Sequence, residues 1–282
     1  MAKYFIAIKE KLIAFWGKEE IELNFWRALI LILCVLVVYI LGFVIAGYFF
    51  KSYLRSKAFI IISDYSYSLL YVSAIVFCAK KTNIHLKDSL FIPDLSSILK
   101  MVVIILLAIT IVYTPIVEIG NFFESLMNGK LRIAGTTLRP LFPWRDLRLV
   151  IIGPIIEEFF FRGIVLKNFQ RKYSPVYSII LSSLLFAAYH YSIDKFIFLT
   201  FLGILFAIIY YKTNSLVLVS LGHMFWNALT FFQYEYLELD ATNWIGHLVI
   251  YIAATVWLVY LLRKDWELVK IDWLLKSADD SQ

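Results

Sequence analysis

Residues Ala28–Phe50 read ALILILCVLVVYILGFVIAGYFF, a run of 23 residues without Asp, Glu, Lys or Arg. A helix needs about 20 mostly apolar residues to cross the hydrocarbon core of a bilayer. The whole chain shares this character, because 61% of its 282 residues are hydrophobic and 17% are charged, against about 45–50% and about 25% in soluble domains. A soluble domain has nowhere to bury so much apolar surface, and a disordered chain would not carry it. The sequence therefore predicts a polytopic membrane protein.

Seven further apolar stretches predict, together with the first, an all-α bundle of about eight transmembrane helices. Each is long enough, or nearly long enough, to cross the bilayer as a helix. No linker, internal repeat or low-complexity tract divides the chain, so residues 28–262 are predicted to form one domain. The seven stretches cover about 58–79, 101–117, 149–169, 176–193, 196–211, 216–234 and 244–262.

Both ends of the chain predict helices that lie on the membrane surface. In residues 1–27 apolar side chains recur at helical spacing opposite lysines, and residues 263–282 show an amphipathic pattern around Trp266 and Trp273. Such patterns favour interfacial helices. With the N-terminus inside, the inner loops and ends collect 17 Lys and Arg and the outer loops collect 9. This asymmetry predicts that both termini are cytoplasmic, although the basic segment 130–148 opposes it.

The charge and the cysteine content exclude two other classes of protein. The net charge of +6 comes from Lys and Arg that flank apolar runs and do not form a block. This distribution is typical of topology signals and of contacts with anionic lipid, so no nucleic-acid partner is expected. Cys34 and Cys78 both fall inside apolar runs, and a disulfide scaffold is therefore not indicated.

The fourth predicted span carries three ionisable residues within six positions, namely Glu157, Glu158 and Arg162. Ionisable residues are costly inside a membrane, and each is a candidate for function. Glu158 and Arg162 are four residues apart on one helix face, where they neutralise each other as an ion pair. Glu157 points about 100° away around the helix. Its carboxylate is therefore available for chemistry.

The later spans supply polar partners for Glu157. The fifth span carries His190, and the seventh carries His223 and Asn227, which are four residues apart on one face. Counted from the inner loops at about 1.5 Å per residue, these groups and Glu157 lie about 14–21 Å deep. The sequence therefore predicts that four polar groups from three helices converge near the middle of the bilayer.

This combination of side chains favours hydrolysis of an amide inside the membrane. A carboxylate and an imidazole that share a water make a general base, and a His and an Asn on another helix can donate hydrogen bonds to the developing oxyanion. A nucleophilic serine is less favoured, since no Gly-x-Ser-x-Gly elbow is present. Zinc held by Glu157, His190 and His223 is an alternative, although the chain lacks a His-Glu-x-x-His motif.

Three motifs in this order resemble the CPBP family of membrane endopeptidases, which includes CAAX prenyl proteases and bacteriocin-processing, Abi-type enzymes. The resemblance implies Glu157 as the general base, with His190 sharing its water. It implies His223 and Asn227 as the oxyanion hole, supported by Glu158 and Arg162, and on this interpretation no cofactor is required. The motifs are Glu157-Glu158-x-x-x-Arg162, Phe186-x-x-x-His190 and His223-x-x-x-Asn227, in a core of residues 145–235.

The resemblance implies a peptide or membrane-protein substrate, met in the lipid bilayer of a prokaryotic cell membrane. That substrate is a prenylated C-terminal peptide, a leader or bacteriocin peptide, or a segment of a membrane protein. A second hypothesis is a non-catalytic scaffold, regulator or bacteriocin self-immunity protein of the same fold. A third hypothesis is a transporter with a proton relay, but that class is expected to have two related halves, which this sequence lacks.

Overall fold

The structure is a computed structural model that describes residues 21–49, 56–108, 147–192 and 195–236, with the single positions 110, 252, 253 and 256. All regular structure in these residues is helical, as the composition predicts. Seven main helices follow one another in this part of the chain, and a short 3-10 turn, Leu86–Ser89, precedes the third. They are α1 (Phe25–Phe49), α2 (Lys57–Lys81), α3 (Leu95–Ala108), α4 (Arg148–Gln170), α5 (Pro175–Tyr189), α6 (Phe196–Thr213) and α7 (Leu216–Tyr236).

Three of the described helices are long and apolar enough to cross a membrane. They are α1, the Ile61–Lys81 part of α2, and α6, whereas α3, α5 and the Leu216–Leu229 part of α7 are apolar but shorter. The predicted eighth span and the C-terminal tail lie almost wholly outside the described residues, and so do residues 1–20 of the predicted N-terminal interfacial segment, whose last three residues belong to α1. The count of eight spans therefore stays a prediction.

The fifth helix ends earlier than the predicted boundary at 193. Its last residue is Tyr189, and the N–H groups of His190 and Tyr191 donate to the carbonyls of Ala187 and Ala188, respectively. Tyr191 then adopts a left-handed backbone with φ of 51°, which a helix cannot continue through. His190 therefore lies at the C-terminal end of α5 and not inside a helix that continues to 193, so the predicted end of this span is wrong.

The third helix begins at Leu95, before the predicted start at 101. Asp94 precedes it and accepts hydrogen bonds from Ser97, which lowers the pKa of the Asp94 carboxyl. An acidic side chain at this position satisfies N–H groups that have no partner inside the helix. The residues predicted to complete this span lie beyond Ala108 and, except for position 110, outside the described part.

Helix α4 is continuous but changes its winding three times. A π-helical turn, Arg148–Ile152, leads into an α-helical segment, Gly153–Glu158, and a π-helical segment, Phe159–Leu166, leads into the α-helical end Lys167–Gln170. Pro154 has no N–H, and in a regular α-helix its ring clashes with the carbonyl four residues earlier. The wider π turn before it accommodates the proline, and π segments inside α-helices are frequent at functional sites.

Helix α4 lies in the middle of the described bundle and contacts α2, α5, α6 and α7. Its buried residues Phe160, Phe161 and Ile164 pack with α1, α2 and α5 in one core cluster. A second core cluster joins α3, α6 and α7 on the other side and includes Leu166 of α4. The motif residues are therefore held where these two clusters meet.

Candidate active site

Three side chains from three helices face one another inside the bundle. Glu157 comes from α4, His190 from the end of α5 and His223 from α7. The Oε2 atom of Glu157 lies 4.0 Å from Nε2 of His190 and 3.8 Å from Nε2 of His223. Glu157 and His190 are partly exposed and His223 is buried. The structure thus brings together three of the four groups whose convergence the sequence predicts.

The two ring nitrogens of His190 have different partners. Its Nδ1 atom lies 2.8 Å from the carbonyl oxygen of Phe186, one turn earlier in α5. A carbonyl only accepts, so Nδ1 carries the proton and donates it. In the neutral ring Nε2 is then an acceptor, and this is the atom that faces Glu157. The backbone of α5 therefore fixes the tautomer and the orientation of His190.

Glu158 joins Arg162 and His223 in a buried network. One carboxylate oxygen lies 3.1 Å from Nε of Arg162, and the other lies 2.8 Å from Nδ1 of His223. The side chain of Glu158 is 0% exposed and that of Arg162 is 1% exposed. The sequence predicts the ion pair with Arg162 but gave no sign of the bond to His223. Glu158 therefore orients the same histidine that faces Glu157.

Arg162 is also held by helix α6 and by two aromatic rings. Its guanidinium donates to the carbonyl oxygen of Gly203 at 2.9 Å. It lies over the rings of Phe186 and Phe206, at 4.7 Å and 5.7 Å from their centroids. A buried charge is tolerated only with such partners. This network connects α4, α5, α6 and α7 through one arginine and one carboxylate.

Asn227 lies one turn after His223 on α7, as the spacing predicts. Its side-chain amide donates to the carbonyl oxygen of Leu149 at 2.9 Å, so it connects α7 to the first turn of α4. The π winding of that turn follows from Pro154 and supplies this carbonyl. The structure therefore gives Asn227 a fixed amide orientation beside the segment that carries Glu157.

Gly153 also borders the site, although none of the three sequence motifs includes it. Its N–H donates to the carbonyl of Arg148, five residues earlier. A Cβ atom at this position would lie 2.9 Å from that carbonyl oxygen and 3.7 Å from Oε1 of Glu157. Any larger residue would therefore strain the π turn beside the Glu157 carboxylate. The sequence signal was a Gly-Pro pair inside an apolar run.

Four tyrosines that the sequence did not single out lie beside this group. Tyr67 and Tyr71 come from α2, Tyr189 is the last residue of α5, and Tyr191 follows His190. The Tyr189 ring lies 4.9 Å from that of Tyr71 and 5.1 Å from that of His190. Helix α2 thus contributes side chains next to the motif residues.

The two distances from Glu157 are a few tenths of an ångström longer than the spacing between the ligands of a zinc ion. Tetrahedral zinc ligands at about 2.0–2.2 Å from the metal stand about 3.3–3.6 Å from one another. Glu157 lies 3.8 Å and 4.0 Å from the two imidazole nitrogens. Among the described residues no group of three or more His, Cys, Asp or Glu forms a candidate metal site.

The described helices thus hold one carboxylate that faces two imidazoles. A family model described as type II CAAX prenyl endopeptidase Rce1-like matches residues 139–229, a segment that includes all the motif residues. The resemblance to the CPBP family of CAAX proteases is confirmed for this segment. Comparison with curated proteins and with solved structures gives no match.

Proposed function

We propose that the protein is an intramembrane endopeptidase that hydrolyses a peptide bond with a water activated by Glu157 and His190. The observation that carries this proposal is the approach of Glu157 to His190 and His223 from separate helices, at 4.0 Å and 3.8 Å. Proteins rarely bury such groups in a membrane without a function. The match to an endopeptidase family over residues 139–229 supports the reaction class.

The separation of Glu157 and His190 suits a shared water. A gap of 4.0 Å is too long for a direct hydrogen bond, and a water can bridge two acceptors across it. Such a water donates one proton toward the Glu157 carboxylate and one toward Nε2 of His190. Its oxygen then attacks the scissile carbonyl while Glu157 takes up a proton. Protonated Glu157 later gives that proton to the leaving amine, which completes the hydrolysis.

The oxyanion of the tetrahedral intermediate needs donors, and His223 with Asn227 supplies them in this proposal. Because Nδ1 of His223 donates to the Glu158 carboxylate at 2.8 Å, Nε2 donates only when the ring holds both protons. The net charge is then zero for the set formed by the carboxylates of Glu157 and Glu158, the guanidinium of Arg162 and the doubly protonated ring of His223. A neutral set of this kind is suited to an apolar surrounding.

We propose that this reaction needs no metal ion. The alternative, zinc bound by Glu157, His190 and His223, requires these groups to move closer than their present separations. A chelator distinguishes the two proposals, because removal of a required zinc abolishes activity and the metal-free reaction is insensitive to it.

The family match favours a CAAX-type substrate, meaning a peptide with a prenylated cysteine near its C-terminus. A leader or bacteriocin peptide and a segment of a membrane protein are the other substrates we propose. The long apolar helices support action in a bilayer. We further propose the cell membrane of a prokaryote as the location, with both termini in the cytoplasm.

The proposal is tested by comparing peptides released in membranes that carry the wild-type protein or the Glu157→Ala variant, each with and without a chelator. We expect products that appear only with the wild type and persist in the chelator. Products that also appear with Glu157→Ala and with His190→Ala would overturn the proposal. Normal biological function of a Glu157→Gln protein would favour the scaffold or immunity hypothesis, because the amide keeps the shape but cannot act as a base.

A further inference from the structure

The tyrosine cluster, defined as Tyr67, Tyr71, Tyr189 and Tyr191, is a compact group of hydroxyl-bearing rings. The ring of Tyr71 lies 5.2 Å from that of Tyr67 and 4.9 Å from that of Tyr189. Tyr67 stacks on Tyr189 at 6.2 Å, and Tyr191 lies 6.4 Å from Tyr189. Packing of apolar surface does not require tyrosine, since phenylalanine would fill the same space. The hydroxyl groups therefore need a separate explanation.

The tyrosine cluster borders the proposed general base. Tyr189 immediately precedes His190, and their rings are in edge-to-face contact at 5.1 Å. The hydroxyl of Tyr189 is near enough to the Glu157 carboxylate for an electrostatic interaction between them. Tyr191 is half exposed at the open end of the cluster. A peptide whose scissile bond reaches Glu157 would therefore pass next to these hydroxyl groups.

The hydroxyl of Tyr71 is buried without a completed hydrogen bond. Tyr71 is 1% exposed, and within the part of the chain that the structure describes its oxygen has no hydrogen-bond partner. The hydroxyls of Tyr67 and Tyr191 are polar neighbours of this oxygen, but neither forms a bond with it that meets strict hydrogen-bond geometry. Burial of a hydroxyl without a partner costs free energy. A bound group that forms a hydrogen bond with the Tyr71 hydroxyl would remove this cost.

A peptide that is cleaved inside a membrane has backbone groups that need hydrogen-bond partners. Its backbone must be extended at the scissile bond, so nearby N–H and C=O groups lose their helical partners. Lipid offers no replacement, and unsatisfied backbone groups are costly there. A tyrosine hydroxyl both donates and accepts hydrogen bonds. It can therefore serve either kind of backbone group.

We propose that the tyrosine cluster binds the extended backbone of the substrate beside the scissile bond, with the Tyr71 hydroxyl as its central contact. This inference rests on the proposed endopeptidase function and adds a substrate-positioning surface to it. It also assigns a role to α2, which lies outside the segment 139–229 that matches the family model. Tyr71 acts on binding in this account and takes no part in the chemical step.

The test is the Tyr71→Phe variant, which keeps the ring and removes only the hydroxyl. The full-length protein in detergent micelles is assayed with a fluorescent prenylated peptide that ends in a CAAX sequence. We expect KM to rise about 3- to 10-fold, the value of one hydrogen bond, with kcat and its pH profile unchanged. Tyr210→Phe is the matched control, because that hydroxyl is also buried but contacts Ser89 at 3.1 Å. Its KM is expected to stay at the wild-type value.

A binding measurement separates this inference from the proposed function. In the Glu157→Gln background, the Kd of the same peptide is measured with and without Tyr71→Phe, so the result does not depend on cleavage. Absent cleavage by the wild type would contradict the proposed function. An unchanged Kd and KM, or a fall in kcat at constant KM, would overturn the inference. Tyr191→Phe, at a half-exposed position, gives the same test with about a 2- to 3-fold rise in KM if Tyr71→Phe does not fold.

Discussion

Helices α1 and α4 have similar lengths but differ in their charged residues and in the burial of their side chains. Helix α1 carries no charged residue after Arg27 and buries only Ala28, Ile32 and Val35, while most of its remaining apolar residues are exposed on the bundle surface. Helix α4 carries Glu157, Glu158 and Arg162, and its segment from Phe160 to Leu166 is wholly buried. The first suits a lipid surrounding, and the second suits a protein interior.

The comparison shows that apolar content alone does not identify the helix that carries the candidate active site. Residues 149–169 are apolar enough to be predicted as a span, yet they carry Glu157, Glu158 and Arg162, whereas α1 carries no charged residue after Arg27. Polar groups lower the apolar character of α4, and their burial is stabilised by partners on α6 and α7. Functional helices in such a bundle are therefore recognised by polar residues that break an apolar run.

The largest predicted effect on stability follows removal of Arg162. The Arg162→Met variant leaves the Glu158 carboxylate buried without its cation, which is expected to lower the free energy of unfolding by about 3–5 kcal/mol. Unfolding of the purified protein in mixed detergent and SDS micelles measures this loss. Lys172→Met is the control, since Lys172 and Glu22 form an exposed pair at 3.8 Å worth at most about 1 kcal/mol. Equal losses in both variants would contradict the buried network.

A second prediction compares one added methyl group in two helices. In Gly203→Ala the new Cβ would lie 2.9 Å from Cβ of Ser183, where α6 crosses α5. Such overpacking is expected to cost about 1–3 kcal/mol. In Gly42→Ala of α1, nothing lies within 4 Å of the added atom, so stability should stay the same or rise by up to about 1 kcal/mol. The same unfolding assay measures both variants. A larger loss of stability in Gly42→Ala than in Gly203→Ala would show that α5 and α6 do not pack this closely.

The smallest predicted effect concerns pH and the start of α3. Hydrogen bonds from Ser97 lower the pKa of the Asp94 carboxyl below its usual value, so the folded state favours the ionised carboxyl. This contribution is fully present at neutral pH and is lost as pH falls through the lowered pKa. In Asp94→Asn the difference in Tm between pH 7 and pH 3 should be slightly smaller than in the wild type. A larger difference in the variant would contradict the capping role.

Much of the arrangement could be predicted from local spacing. The ion pair of Glu158 and Arg162 follows from four-residue spacing, and the approach of Glu157 to His190 and His223 follows the depth argument. The early end of α5 was missed, because Tyr191 adopts a left-handed backbone without the Gly or Asn that usually signals it. The bond between Glu158 and His223 was missed as well, because it joins residues 65 positions apart.

Other features depend on helix packing that the sequence does not encode locally. The close approach at Gly203 requires the crossing of α5 and α6, and the tyrosine cluster requires α2 to pack beside the end of α5. No spacing rule connects Tyr71 to Tyr189, which are far apart in the chain. Only long-range packing brings their rings to 4.9 Å.

The central claim is that Glu157 and His190 act on one water as a single base. It is tested most directly by kcat/KM for a prenylated CAAX peptide with Glu157→Gln, His190→Ala and the double variant, all in the presence of a chelator. We predict that each single change lowers kcat/KM about 10²–10⁴-fold and that the double variant is no worse than the poorer single variant, because the two groups act as a unit. Retained activity in Glu157→Gln, or losses that multiply in the double variant, would contradict the account.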